Sequence, residues 1–392
     1  MEYLPRTISY ILLQRVHQFP VVTLTGVRQS GKTTLVRQVL SDWNYVNLED
    51  MDTRMFAVQD PRGFLAQYGP HTIIDEFQRA PQLTSYIQGI VDKNGNNGQY
   101  VLTGSQSYLL HRDISQSLAG RVGLLVLYPF AYTELPATAR SHSLDATLLQ
   151  GAFPRPILGN TPADAWFGSF ISSYVERDVR TLVAVKDLLK FQAFIRLVAF
   201  RTGQLVNYTS LAADVGVSIP TVRNWLSVLE AGYIVLRVAP WHTNPRKRLV
   251  KTPKLYFVDT GLLCRLLDIT TVEILQQHAL RGAIFENWVM TEILKHIHNR
   301  SMTDRLHFYR DFAGNEVDFL LESGMRKLGI EVKSGRTVRS DFFKGIRTWQ
   351  KEESDDTGGL VVYGGNQSQS RTDIPVIGWQ DFPNWLNNTK PT

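Results

Sequence analysis

Apolar and polar stretches alternate along the first hundred residues in a pattern that predicts short buried strands separated by helices. Residues 21–25 form an apolar run that predicts a buried strand, and residues 34–40 have the spacing of a helix. Residues 71–76 and 100–105 are further apolar runs, and each ends in polar residues. Strands that alternate with helices predict an α/β fold with a parallel sheet.

The loop between the first predicted strand and helix carries the clearest chemical signal. Residues 26–33 have the sequence Gly-Val-Arg-Gln-Ser-Gly-Lys-Thr and fit the phosphate-binding pattern G-x-x-x-x-G-K-[ST]. The two glycines let backbone N–H groups point at phosphate oxygens, the lysine can reach the β/γ-phosphates, and the threonine hydroxyl can ligate Mg²⁺. The pattern predicts a nucleoside triphosphate contacted by Gly26, Arg28, Gly31, Lys32, Thr33 and Thr34.

Two carboxylates end the second predicted strand and are typical of a Walker B element. A strand carries Asp75 to the carboxyl edge of the sheet, where it would complete the Mg²⁺ shell with Thr33. Glu76 is then placed to accept a proton from the water that attacks the γ-phosphate. Solvated charges also end ordinary strands, so the prediction depends on the loop upstream.

Three later residues are weaker candidates for the same site. Thr103 and Ser105 end the third predicted strand, where either would sense the γ-phosphate or simply close a turn. Arg121 would stabilise transition-state charge, either in cis or across a subunit boundary, or is an ordinary surface arginine. The subunit alternative makes a homo-oligomer plausible.

These motifs resemble a prokaryotic family of AAA+-type ATPases with a small strand-rich C-terminal domain. The patterns G-x-R-Q-x-G-K-T, I-D-E-x-Q and L-T-G-S occur in this order, and residues 174–179 are similar to a segment that follows the ATPase core in that family. The resemblance implies that ATP, with Mg²⁺, is the nucleotide.

The middle of the chain predicts a winged helix-turn-helix. Residues 209–214 and 220–226 have helical spacing around a turn at 216–218, and a basic cluster follows at residues 246–254. A DNA-binding module would place the outward residues in the major groove and the basic wing, including Lys254, on phosphates. A lid or a protein contact explains the same pattern equally well. The predicted outward residues are Thr221, Arg223 and Asn224.

The last third of the chain carries a second set of chemically reactive residues. Residues 316–321 and 328–334 predict two strands, and alternation puts Glu331 and Lys333 on one face. If the strands pair as neighbours, Asp318 lies beside Glu331, and these two carboxylates would hold Mg²⁺ or Mn²⁺ while Lys333 orients water.

This arrangement resembles the PD-(D/E)xK nuclease superfamily, in which Glu286, on a predicted helix that begins at residue 282, would be the additional helical acid. The first motif lacks the proline of that superfamily. The resemblance implies that Glu286, Asp318, Glu331 and Lys333 are catalytic residues that cut a phosphodiester.

Length and composition agree with several modules. The 392 residues predict an AAA+-like P-loop NTPase core over 1–160, a helical linker or lid over 161–202, a winged helix over 203–262 and a restriction-nuclease-like α/β domain over 263–392. The single cysteine, Cys264, excludes intramolecular disulfides. The net charge of +6 is mildly basic, and no apolar run approaches the length of a membrane span, so we expect a cytoplasmic protein without membrane partners.

These patterns favour an ATP-hydrolysing protein that acts on DNA through a metal-dependent nuclease-like domain. The alternative is a nucleotide-gated regulatory switch whose C-terminal domain binds a partner without cutting it. A small-molecule P-loop kinase is less favoured, because no acceptor-substrate lid is evident.

Overall fold

The computed structural model describes residues 3–105, 118–159, 161–175, 188–241, 252–353 and 357–388. The basic residues 246–251 of the predicted wing and residues 176–179 of the family-like segment lie outside this range.

The N-terminal sheet is parallel and positions the predicted ATP site. Its order is β2-β3-β4-β1-β5, so β4 separates the strand before the phosphate-binding loop from the Walker B strand. Because all pairs are parallel, the loop and the ends of β3 and β4 share one edge. The strands are β1 Val21–Thr25, β2 Asn44–Asn47, β3 Thr72–Asp75, β4 Tyr100–Thr103 and β5 Val122–Val126.

Helices cover both faces of this sheet because successive strand residues point to opposite sides. Val22 and Leu24 pack on one face against Ile8 and Leu35 of two helices, whereas Val21 and its neighbours pack on the other face in a separate core. The helices of this region are α1 Ile8–Gln18, α2 Lys32–Val39, α3 Met51–Gln59, α4 Pro61–Tyr68 and α5 Leu83–Asn94. The expected α/β core is confirmed.

Short helices connect the first sheet to the predicted helix-turn-helix. The ring of Phe153 contacts the rings of Trp166 and Phe170, which lie on the helix Ala163–Ser173. The connecting helices are α6 Ala137–Arg140, α7 Leu144–Gln150, α8 Pro154–Leu158, α9 Ala163–Ser173 and α10 Leu188–Ala199.

The two helices expected at the centre of the chain are present. They are α11 Tyr208–Val215 and α12 Ile219–Ala231. Gly216 between them has a φ of 70°, a conformation that favours glycine, and the Ser218 side chain accepts a hydrogen bond from the N–H of Thr221 at the start of α12.

The C-terminal sheet is mixed and has the order β12-β11-β10-β9-β8-β6-β7. Strands β6 and β7 follow the helix pair directly, yet β6 pairs with β8, so the boundary predicted at residue 262 crosses a continuous sheet. The strands are β6 Val235–Pro240, β7 Lys254–Phe257, β8 Arg305–Arg310, β9 Glu316–Ser323, β10 Arg326–Lys333, β11 Thr357–Tyr363 and β12 Val376–Gly378. The helices are α13 Thr260–Leu266, α14 Val272–Gln277, α15 Arg281–Asn299, α16 Lys344–Glu352 and α17 Phe382–Asn388.

Candidate functional site

The phosphate-binding loop has backbone conformations that require its glycines. Gly26 has a φ of 142°, and a Cβ atom there would lie 2.1 Å from the carbonyl oxygen of Leu127. Gly31 has a φ of 97° and immediately precedes α2. Any other residue at 26 would move the loop away from the strand edge, so this glycine maintains the loop path.

Lys32 is buried and folds back over the loop. Its Nζ donates to the carbonyl oxygens of Gly26 and Val27, at 2.9 Å each. The ammonium group therefore lies inside the curve of the loop, where a P-loop lysine meets phosphate.

Asp75 is the meeting point of three hydroxyl groups from different elements. Its Oδ2 accepts from Thr33 Oγ1 at 2.7 Å and from the Tyr45 hydroxyl at 2.8 Å, while Thr103 donates to Oδ1. The Thr33 hydroxyl and the Asp75 carboxylate are hard oxygen donors that fit Mg²⁺. Tyr45, on β2, was not predicted from sequence because a lone tyrosine on a short strand matches no motif.

Glu76 follows Asp75 in a strained backbone conformation, and its Oε2 accepts a hydrogen bond from Gln78 Nε2. Its φ is 56°, in the left-handed region that non-glycine residues rarely adopt. Burial raises the pKa of Glu76, the nearby Lys32 partly offsets this increase, and Asp75 adds to it. A carboxyl group with a raised pKa beside the metal-binding pair is suited to general-base work.

Arg121 lies at the wrong edge for a role in this chain's own site. Its carbonyl oxygen accepts from the N–H of Val21, at the start of β1, whereas the loop follows the end of that strand. Its guanidinium forms an ion pair with Asp92. The cis alternative is therefore wrong on geometric grounds, and a role across a subunit boundary stays a prediction. Ser105 is half-buried two residues after β4 and stays a candidate.

The predicted C-terminal residues come together as strand pairing requires. Strands β9 and β10 are antiparallel, and the pairing of Phe319 with Ile330 places Asp318 opposite Glu331. Asp318 Oδ2 accepts from the backbone N–H of Val332 at 2.8 Å, and Lys333 Nζ lies 2.5 Å from Glu331 Oε1.

Two residues of β7 tie Glu286 of helix α15 to this cluster. Glu286 Oε1 accepts from Lys254 Nζ at 3.2 Å and from the Tyr256 hydroxyl at 2.6 Å. Lys254 Nζ also lies 2.5 Å from Glu316 Oε1. The expectation that Lys254 contacts DNA phosphates with the wing is wrong, because this side chain is 2% exposed and surrounded by carboxylates.

The ionisation of the cluster reflects an excess of buried negative charge. Burial and the neighbouring Asp318 raise the pKa of Glu331 to about 8, although Lys333 opposes the shift. Burial raises the pKa of Glu286 to about 7, with Lys254 opposing and Asp318 adding to the effect. Burial favours a lower pKa for Lys254, but the surrounding carboxylates raise it above its ordinary value.

One atom of the cluster favours an additional cation. Glu331 Oε2 is buried and has no hydrogen-bond partner, although a buried carboxylate oxygen normally has one. Within the described ranges, no group of three or more His, Cys, Asp or Glu residues is arranged to hold a metal. The fit to a divalent ion therefore depends on the Asp318 and Glu331 pair.

Comparisons with known proteins match separate domain families along the chain. Three family models match: an AAA domain over residues 18–136, a domain of unknown function (DUF8612) over 141–273, and a domain of unknown function (DUF4143) over 281–382. Uncharacterized proteins of Mycobacterium tuberculosis and Mycobacterium bovis are each 30% identical over 342 residues, which is 86% of this chain and 75% of theirs. The chain belongs to their family.

The AAA match spans the phosphate-binding loop and the Walker B strand, so this family member is an ATP-binding P-loop ATPase. An uncharacterized protein of Haemophilus influenzae is 24% identical over 324 residues, 72% of this chain and 77% of its own. Among solved structures, a Walker-type ATPase of Pyrococcus abyssi is 15% identical with a TM-score of 0.44, covering 66% of this chain and 94% of that one.

A signal transduction ATPase of Pyrococcus horikoshii with a tetratricopeptide repeat sensor is 12% identical with a TM-score of 0.27, covering 76% of this chain and 47% of that one. In the part of the chain that the structure describes, no helix is both long and apolar enough to cross a membrane.

Proposed function

We propose that this ATPase acts on DNA and that its C-terminal cluster cleaves phosphodiesters with Mg²⁺ or Mn²⁺. The observation that carries the proposal is the meeting of Asp318, Glu331 and Lys333 on two paired strands, with Glu331 Oε2 buried and unpaired. Two adjacent carboxylates and a lysine supply metal ligands and a group that orients water.

At the ATP site, each residue has a role that its contacts support. When ATP binds, Lys32 Nζ exchanges its hydrogen bonds to the loop carbonyls for contacts with the β/γ-phosphates. The backbone amides of the loop bind the other phosphate oxygens. Thr33 and Asp75 would hold Mg²⁺, which supplies neutralisation of phosphate charge. Glu76 accepts the proton of the attacking water, and Thr103 keeps Asp75 oriented.

At the C-terminal site, Asp318 and Glu331 would hold the divalent ion, which supplies Lewis acidity at the phosphate. Lys333, beside Glu331, orients the attacking water. Glu286 of α15 is held near this site by its hydrogen bonds to Lys254 and Tyr256 of β7. A divalent ion would also reduce the repulsion that raises the pKa of Glu331.

The helix pair is the proposed route by which DNA reaches this site. Arg223 and Asn224 on α12 are exposed, and Thr221 lies on the same outward side, whereas Leu226 and Leu229 are buried. The helix pair continues directly into β6, which belongs to the same sheet as Asp318 and Glu331. DNA held by the helices would therefore lie on the domain that carries the cluster.

One observation favours a second candidate function, a nucleotide-gated switch that binds a partner without cutting. Lys254 Nζ forms ion pairs with Glu286 and Glu316, and Arg310 also pairs with Glu316, so part of the cluster is an ion-pair network within the protein. In that case the network maintains the sheet, and ATP turnover controls which partner the C-terminal domain binds.

Isothermal titration calorimetry with Mn²⁺ distinguishes the two candidates. We expect the wild type to bind Mn²⁺ at a C-terminal site, and the variant with Asp318→Asn and Glu331→Gln to lose that site. The matched control is Glu322→Gln, on the same strand but at its far end beside His307. All three proteins also carry Asp75→Asn, which removes the carboxylate of the P-loop metal site. Mn²⁺ binding that is identical in all three proteins contradicts the cleavage proposal and favours the switch.

A further inference from the structure

Arg6, which lies just before α1, contacts the phosphate-binding loop through the carbonyl oxygen of Ser30. Its side chain is buried and its planar group makes several hydrogen bonds to backbone oxygens. Nη1 donates to the carbonyl oxygen of Ser30 at 3.1 Å, and Nη2 donates to that of Tyr128 at 2.8 Å. We propose that Arg6 is a positioning residue of the ATP site, which holds the loop in its phosphate-binding form before ATP arrives.

The Ser30 carbonyl matters because of the geometry of its peptide bond. The described residues contain no cis peptide, and in a trans peptide the C=O and N–H groups point in opposite directions. Arg6 therefore fixes the direction of the Gly31 amide by holding the other end of the same peptide unit. Phosphate binding at a P-loop depends on such amides, and a loop ordered in advance loses less entropy when ATP binds.

Arg6 is itself held rigidly by Glu134. Its Nε lies 3.1 Å from Glu134 Oε2, and both side chains are 3% exposed. The same carboxylate accepts from the backbone N–H groups of Thr7 at 2.6 Å and Ala131 at 2.9 Å. The Phe130 ring lies 4.7 Å from the guanidinium carbon. A lysine cannot reproduce this arrangement, because a single ammonium lacks the planar fork that spans three partners.

The test is the Arg6→Lys variant, assayed for ATP affinity by calorimetry and for kcat and KM separately. We expect the Kd and KM for ATP to rise about tenfold, because the unbound loop must now be ordered by the ligand. The value of kcat should change less than about threefold, because Lys32, Thr33 and Asp75 keep their own contacts.

A matched variant distinguishes an effect of Arg6 on the loop from a general loss of stability. Ile8→Val removes one methylene from the buried face of α1 and lowers the melting temperature without touching Ser30. Its ATP Kd should equal that of the wild type when measured well below both melting temperatures. If Arg6→Lys and Ile8→Val have the same ATP Kd, Arg6 is structural only and the proposal is overturned.

A second variant covers the case in which Arg6→Lys does not fold. Glu134→Gln leaves the Arg6 contact with Ser30 in place but removes the negative anchor on the far side. We expect its ATP Kd to rise in the same direction by roughly two- to fivefold, since Arg6 then has more freedom. An unchanged Kd in a folded Glu134→Gln protein also counts against the proposal.

Discussion

The ATP site and the C-terminal cluster differ in how the chain builds them. In the ATP site, one loop between β1 and α2 carries the backbone amides proposed to meet phosphate, and its lysine is held by loop carbonyls. Side chains of β2, β3 and β4 meet at the adjacent sheet edge. The C-terminal cluster is made of side chains from three strands and a helix, in which Lys254 and Lys333 face four carboxylates. Lys32 of the first site therefore has hydrogen-bond partners within its own loop, whereas Glu331 Oε2 of the second site is buried without one.

The largest expected effect is at the ATP site. Lys32→Ala should reduce ATP hydrolysis by a factor on the order of 10³ or more, because it removes the charge that meets the β/γ-phosphates. A phosphate-release assay measures this change. Lys93→Ala, on the exposed side of α5, is the matched control and should hydrolyse ATP normally. Full activity in Lys32→Ala would remove the basis for assigning catalysis to this loop.

Loss of a lysine from the C-terminal cluster should lower the stability of the protein more than it lowers the rate of ATP hydrolysis. Lys254→Met leaves the partly buried Glu286 without its cation and Glu316 with Arg310 alone, so we expect a loss on the order of 3 kcal/mol in the free energy of unfolding at pH 8. Urea denaturation measures this loss. Lys351→Met, at an exposed position of α16, should be close to neutral. A change below about 1 kcal/mol for Lys254→Met would show that the cluster is well solvated.

The raised carboxyl pKa values of the C-terminal cluster predict that stability depends on pH. The folded-state pKa values of Glu331 and Glu286, about 8 and about 7, lie above the ordinary value of 4.5. The folded state therefore holds more protons than the unfolded state between about pH 4.5 and 8, and stability should fall as pH rises through this window.

Glu331→Gln should remove part of this fall, on the order of 2 kcal/mol between pH 5 and 9. Thermal unfolding at several pH values measures the effect, and Glu322→Gln should keep the wild-type profile. Added Mn²⁺ should restore wild-type stability at pH 8 if it binds the carboxylates. A wild-type profile that is flat from pH 5 to 8 contradicts the raised pKa values.

The smallest predicted effect concerns a contact between the two regions. The Tyr233 hydroxyl, just after α12, lies 2.7 Å from Thr25 Oγ1, directly before the phosphate-binding loop. Tyr233→Phe should lower the free energy of unfolding by about 1 kcal/mol, whereas Tyr10→Phe, at an exposed position, should not. A double-mutant cycle with Thr25→Val measures the coupling, and an additive cycle would show that the two hydroxyls do not interact.

The P-loop and its supporting strands could be predicted because their signal is local. A run of consecutive residues at 26–33 specifies the turn, the lysine and the hydroxyl, and the flanking apolar pattern specifies a strand and a helix. The positions of Tyr45 and Arg6 could not be predicted in this way. Each is a single residue whose role depends on partners that are distant in sequence, and no sequence motif specifies those contacts.

The C-terminal cluster was only partly predictable for the same reason. Alternation along two adjacent strands correctly paired Asp318 with Glu331. Lys254 looked like part of a basic wing, yet strand β7 carries it into the sheet interior. The apolar run at residues 255–258 directly after Lys254 indicates a buried strand, but a charge at the end of such a strand is equally typical of a solvated position.

The most direct test of the central claim is cleavage of circular and linear DNA with Mg²⁺ or Mn²⁺, with and without ATP, by the wild type and by Lys333→Ala. The account predicts cutting by the wild type that Lys333→Ala loses while it keeps its ATPase activity. ATP dependence of that cutting would show that the two sites are coupled. No cutting by the wild type under any of these conditions, with ATP still hydrolysed, would contradict the cleavage proposal and leave the nucleotide-gated switch.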